Sequence, residues 1–169
     1  GNYASGNGGG LYVFQSVVTM SDMDINANTS DGDGGGIYSY YLTTFDITDC
    51  LIYTNTSASD GGGMYSRHTT LSVSGSDLAA NSATSGNGGG LYLDDGSTDS
   101  TTTLTNCTIT DNSTALNGGG LYNLNAPATL TNCTISGNDS NTGGGLYNGN
   151  LAVTTLRNCV LWADIASEE

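Results

Sequence analysis

Along the 169 residues, apolar and polar positions follow neither the 3.6-residue period of an amphipathic helix nor one long alternation. They follow one sentence written six times. Each copy opens with three glycines, an apolar residue and a tyrosine, at residues 8–12, 34–38, 61–65, 88–92, 118–122 and 143–147. The last glycines of successive copies lie 26, 27, 27, 30 and 25 residues apart. A second phrase follows each tyrosine after a variable stretch. Its clearest form is residues 130–138, Leu-Thr-Asn-Cys-Thr-Ile-Ser-Gly-Asn, and it recurs at 20–28, 47–55, 73–81, 104–112 and 156–164. Apolar residues hold its first, fourth and sixth places, with Ser76 the polar exception.

Such a unit is too short for a strand–helix–strand element. It has the length of three short strands joined by bends. Strand one covers Gly-Gly-apolar-Tyr; strands two and three share the second phrase, with a bend near its Asn. Coils of this kind stack about 4.8 Å apart through parallel ladders, each burying its apolar face on the next. The pattern therefore predicts an all-β chain: a single-stranded parallel β-helix of about six rungs, three short strands per rung, without evident caps. It forms one domain over residues 1–169, with units at about 2–28, 28–55, 55–81, 81–112, 112–138 and 138–164.

Stacking turns repeats into columns. Leu11, Ile37, Met64, Leu91, Leu121 and Leu146 form one inward ladder; Ile25, Ile52, Leu78, Ile109, Ile135 and Leu161 form another. The residue closing each unit is Asn2, Asn28, Asn55, Asn81, Asn112, Asn138 or Asp164. Asn tolerates the left-handed conformation of a sharp corner, and its amide can bond to the same amide one rung away, which predicts an asparagine ladder. Cys50, Cys107, Cys133 and Cys159 share one inward column with Met23 and Ser76 and are expected to be free thiols behaving as small hydrophobes.

Gly-Gly-apolar paired with apolar-x-x-Asn resembles the repeats of right-handed parallel β-helix, pectin-lyase-like secreted and surface proteins. It is similar to the passenger repeats of polymorphic outer-membrane proteins. The resemblance covers nearly the whole chain and implies a secreted or cell-surface protein of a prokaryote.

Composition narrows the function. Gly is 26 residues and Pro one, too much Gly for an ordinary core yet without the Pro of collagen. Lys is absent, and Arg67 and Arg157 face 16 acids, for a net charge of −14. Phosphate neutralisation needs Lys and Arg, so nucleic acid is excluded as a partner, and so is adhesion to an anionic membrane. No apolar run reaches the length of a membrane span, so membrane insertion is not expected.

Three groups of residues carry candidate chemistry. Tyr12, Tyr38, Tyr65, Tyr92, Tyr122 and Tyr147 each follow an inward residue, so alternation points them outward. They read as an exposed aromatic stripe for binding sugars, or as a same-face ladder that stiffens the sheet. Asp31, Asp33 and Asp60 sit before glycines, in or near a column shared with Asn7, Asn87, Asn117 and Thr142. They are candidate calcium ligands, or solvated turn carboxylates. Arg67, His68, Asp94 and Asp95 fall at matching places of adjacent rungs, with Tyr40 and Tyr41 one rung below. Their composition suits acid–base chemistry on a polysaccharide, and equally an exposed salt bridge. No cofactor is expected beyond a possible calcium ion.

Residues 164–169 match 55–60, so the sequence opens and closes at one corner, 162 residues or six units apart. An uncapped solenoid exposes unpaired strand edges and apolar surface. The leading expectation is therefore a non-catalytic extracellular structural protein that partners itself, stacking head to tail in a filament or stalk. The alternatives are a surface adhesion module binding glycans, with or without calcium, and a polysaccharide lyase or hydrolase.

Overall fold

The glycine–tyrosine sentence becomes a stack of parallel coils in the computed structural model, which describes residues 1–95 and 100–167. Glu168 and Glu169, compared above with residues 59 and 60, lie outside the described residues. Described secondary structure is entirely β. Each strand pairs with its counterpart in neighbouring coils, about one sentence away, and every pairing is parallel.

Three sheets run the length of the stack. The largest takes the Gly-Gly-apolar-Tyr segments and the first half of the second phrase, as in Leu91–Asp94 and Thr102–Thr105. In two coils these segments run together as Ile37–Thr48 and Met64–Ser74, with a register shift between Tyr40 and Thr43. The second sheet stacks the other half of the phrase in six strands, from Asp24–Asn26 to Val160–Trp162. The third stacks seven two-residue strands, from Tyr3–Ala4 to Ile165–Ala166, each just after a unit-closing residue. That third sheet was hidden in the sequence, because two residues are too few to show a period-2 pattern.

The predicted inward ladders are the core. Ile37, Met64, Leu91 and Leu121 stand in direct register and are fully buried, as are Ile52, Leu78, Ile109 and Ile135 in the second ladder. Burying each such side chain contributes about 1.5–3 kcal/mol. Ile47, Val73, Leu104 and Leu130 form a third buried column.

The glycine triplets allow neighbouring coils to touch through backbone. Gly88 has φ +67°, a left-handed turn that admits Gly at no steric cost. At Gly89, a Cβ would sit 2.4 Å from the Ser113 carbonyl oxygen and 2.5 Å from that of Gly119. A side chain there would wedge two rungs apart.

Candidate functional site

The unit-closing column forms a continuous amide ladder. Asn28 donates both its backbone N–H (3.0 Å) and its Nδ2 (2.9 Å) to Oδ1 of Asn55. Asn55 does the same to Asn81, Asn81 to Asn112, and Asn112 to Asn138. At the outer rungs Asn2 donates to Asn28, and Asn138 to Oδ1 of Asp164. From Asn55 on, each Nδ2 also reaches a carbonyl of the preceding coil, such as Ile25 O at 2.9 Å from Asn55. The corner conformation is placed differently from expectation. The left-handed residues are Ala27, Thr54, Ala80, Asp111, Gly137 and Ala163, each one position before the ladder. The strained residue turns the corner so that the next side chain enters the core. Asn106, Asn132 and Asn158, at the other bend, do adopt positive φ, and their exposed amides bond to one another at 2.7–3.0 Å.

The tyrosine column is not an exposed stripe. Tyr38, Tyr65, Tyr92 and Tyr122 are buried, Tyr147 is half-buried, and only Tyr12 in the first coil is open, at 54%. The rings stack face on face with centroids 4.8–5.2 Å apart, so each covers its neighbours. Tyr40 and Leu124 pack beside them. Burial pushes the phenols of Tyr38, Tyr65, Tyr92 and Tyr122 above the usual tyrosine range, and nearby Asp33 and Asp60 add to it. A sugar platform needs open ring faces, and here they are spent on the stack.

The calcium candidates separate. The Asp33 and Asp60 carboxylates cap backbone one rung away: Asp33 Oδ1 accepts from Asp60 N–H at 3.1 Å, and Asp60 Oδ1 from Asn87 N–H at 2.7 Å. Asn7 and Asn87 serve the same column with amide oxygens. Burial raises the Asp60 pKa, against the pull of its bonds from Asn87. Asp31 lies elsewhere and takes the hydroxyl of Tyr3. Among the described residues, no three acid, His or Cys side chains are grouped to hold a metal ion.

One pair of the corner cluster, Arg67 with Asp94, stands as its register predicts. Arg67 pairs with Asp94 along the strands, Nε lying 3.2 Å from Oδ2. That contact is ionic and off the hydrogen-bond axis. The guanidinium also lies 5.8 Å from the Tyr40 ring centre. His68 and Tyr41, both with positive φ, sit at this corner, the imidazole 6.1 Å from Tyr40 and 6.4 Å from Tyr41. Asp94 and Asp95 are buried, while Arg67 and His68 are half-buried. The Asp94 charge is thus answered within the protein rather than directed outward.

The cysteine thiols point inward, free as expected. Each donates to backbone carbonyls, as Cys107 does to Thr105 O at 3.3 Å. The Cys107 thiol is pushed well above the ordinary range by its contact with Cys133 and by burial. Ser76 fits among them because its hydroxyl bonds Ser74 O at 2.8 Å and accepts from Cys50 N–H at 3.0 Å.

The end coils differ most from the middle. Leu161 and Leu156, members of inward columns, are 46% and 40% exposed; Val153, Val160, Trp162 and Ile165 stand beside them, more exposed still. At the opposite end Met23 is 47% exposed, near a cavity of about 290 Å³ lined by Asn2, Met23, Ile25 and Asn28. The sequence pattern reads Leu156, Leu161 and Met23 as members of inward columns; they stand open because no described coil stacks over them.

Parallel coils, three sheets and stacked internal ladders define a β-solenoid. A family model described as right-handed β-helix region matches residues 1–161, and the chain belongs to that family. No curated protein and no solved structure matches it.

Proposed function

We propose that this chain is a non-catalytic structural protein, an extracellular rod that lengthens by head-to-tail stacking of its copies. The carrying observation is the exposure of Leu156 and Leu161, whose columns are almost completely buried in the middle coils. A rung of the same design is the natural cover. Stacked in register, Leu11 of a second copy covers Leu146, its Met20 covers Leu156, and its Ile25 covers Leu161. Parallel ladders would then run on through the junction, as in strand addition.

The rest of the molecule supports this reading. Its most elaborate polar features, the amide ladder and the Asp33–Asp60 column, tie one rung to the next. Its aromatic rings do likewise. The Leu161→Asp variant tests it by sedimentation velocity. Leu161 is half open in the single chain, so the variant folds, but a charge at its place blocks the next rung. Wild-type protein should sediment faster as concentration rises, and the variant should not. Equal behaviour of the two contradicts the proposal.

A further inference from the structure

Three of the four cysteines stand on consecutive rungs. Cys107 O accepts from Thr134 N–H at 3.0 Å and Cys133 O from Val160 N–H at 2.9 Å, which sets Cys107, Cys133 and Cys159 side by side in the parallel ladder. Their side chains also share one orientation. Each thiol lies 3.3 Å from the carbonyl two residues before it, that of Thr105, Thr131 or Arg157. Each lies 3.4–3.6 Å from a carbonyl of the preceding coil, that of Val73, Leu104 or Leu130. One orientation on stacked rungs carries the strand spacing out to the sulfurs, about 4.8 Å apart. The Cys107 thiol interacts directly with that of Cys133, and Cys133 with Cys159.

That spacing fits a metal ion. Thiolates are soft ligands that select Cu(I), zinc and iron–sulfur clusters. A bond from sulfur to such an ion is about 2.3 Å, so an ion midway between two sulfurs spans about 4.6 Å. Ligand count separates the candidates. Zinc takes four ligands in a tetrahedron, and iron–sulfur clusters take four cysteines. A straight column offers two sulfurs to each gap, and among the described residues no three ligands converge on one point. Cu(I), soft and satisfied by two sulfurs in line, is the ion that fits. Cys107 and Cys133 are buried in the apolar core beside Leu104, Ile109, Leu130 and Ile135, where an unmatched charge is costly. Each Cu(I) that enters displaces one thiol proton to solvent, so one thiolate answers its single charge and the core stays neutral.

We propose that Cys107, Cys133 and Cys159 form a Cu(I) site in which each ion bridges neighbouring sulfurs, one ion per gap and two per chain. Cys133 is common to both gaps. Cys50 takes no part, because its neighbours in the column are Ser76 and the exposed Met23 rather than a thiol. The site is independent of whether copies of the chain stack.

Copper uptake tests this, with the full chain refolded from urea without oxygen in the presence of the Cu(I)–bicinchoninate complex. Serine already stands in this column: Ser76 Oγ donates to Ser74 O, two residues before it, just as each thiol does. Cys133→Ser therefore keeps the fold, which β circular dichroism checks. The wild type should take up two ions per chain, Cys133→Ser none, and Cys50→Ser as many as the wild type. Ser76→Cys joins Cys50 to the other three and should double the uptake. X-ray absorption should find only sulfur around the copper. Cu(I) should also raise the urea midpoint of the wild type and not that of Cys133→Ser, since an ion that prefers the folded chain stabilises it. Equal uptake by Cys133→Ser and wild type, or copper bound to nitrogen or oxygen, overturns the site. A wild-type midpoint that falls with Cu(I) shows capture by the unfolded chain and overturns it too.

Discussion

At the scale of single residues, asparagine does two jobs at two depths. Asn81 is buried and its side chain makes four hydrogen bonds: its Oδ1 receives Asn55 N–H and Nδ2, and its Nδ2 reaches Ile52 O and Asn112 Oδ1. Asn81→Ala strands several of these groups away from water and should cost about 3–5 kcal/mol in chemical denaturation. Asn132, at an exposed bend with φ 55°, should tolerate Asn132→Gly for under about 1 kcal/mol. Equal losses would refute the distinction. Asp60 offers a pH test. Burial raises its folded pKa, so its contribution favours the fold below about pH 4 and is lost as pH rises. Asp60→Asn keeps the acceptor for Asn87 and removes the charge. It should raise Tm by about 1–3 °C at pH 7, a small gain because water still screens a half-buried carboxylate, and leave Tm unchanged below about pH 4. The amide column was legible in the sequence because Asn recurs at one place in every unit. The left-handed corner was misplaced by one residue, because Ala27, Thr54 and Ala80 share no side-chain chemistry that announces positive φ.

At the scale of elements, the tyrosine stack shows where alternation along a strand stops being informative. Alternation correctly put the six rings off the apolar core. It could not show that neighbours one rung apart, at 4.8–5.2 Å, would close each other's faces. Burial then raises the phenol pKa values of Tyr38, Tyr65, Tyr92 and Tyr122 above their unfolded value. The sign follows: their contribution is intact below about pH 10 and is lost as pH climbs beyond it. In alkaline titration the last part of the phenolate absorbance should appear only together with loss of β circular dichroism. Full phenolate absorbance from all ten tyrosines while the fold persists would show that the column is open to water. The corner cluster is the reverse case. Register alone placed Arg67 beside Asp94, because the parallel ladder fixes neighbours at equal offsets from the glycines. The burial of Asp94 and Asp95 is a feature that the repeat pattern does not specify.

At the scale of the whole molecule, a net charge of −14 opposes the approach of one copy to another, while the open apolar columns of the last coil favour it. Added salt screens the first and leaves the second, so association should strengthen between about 0.05 and 0.5 M salt. Electron microscopy of the purified protein across that range tests the central claim most directly. Head-to-tail stacking predicts unbranched rods of one width, the width of a single coil, whose lengths grow with salt and concentration. Separate particles of constant size under every condition would contradict it.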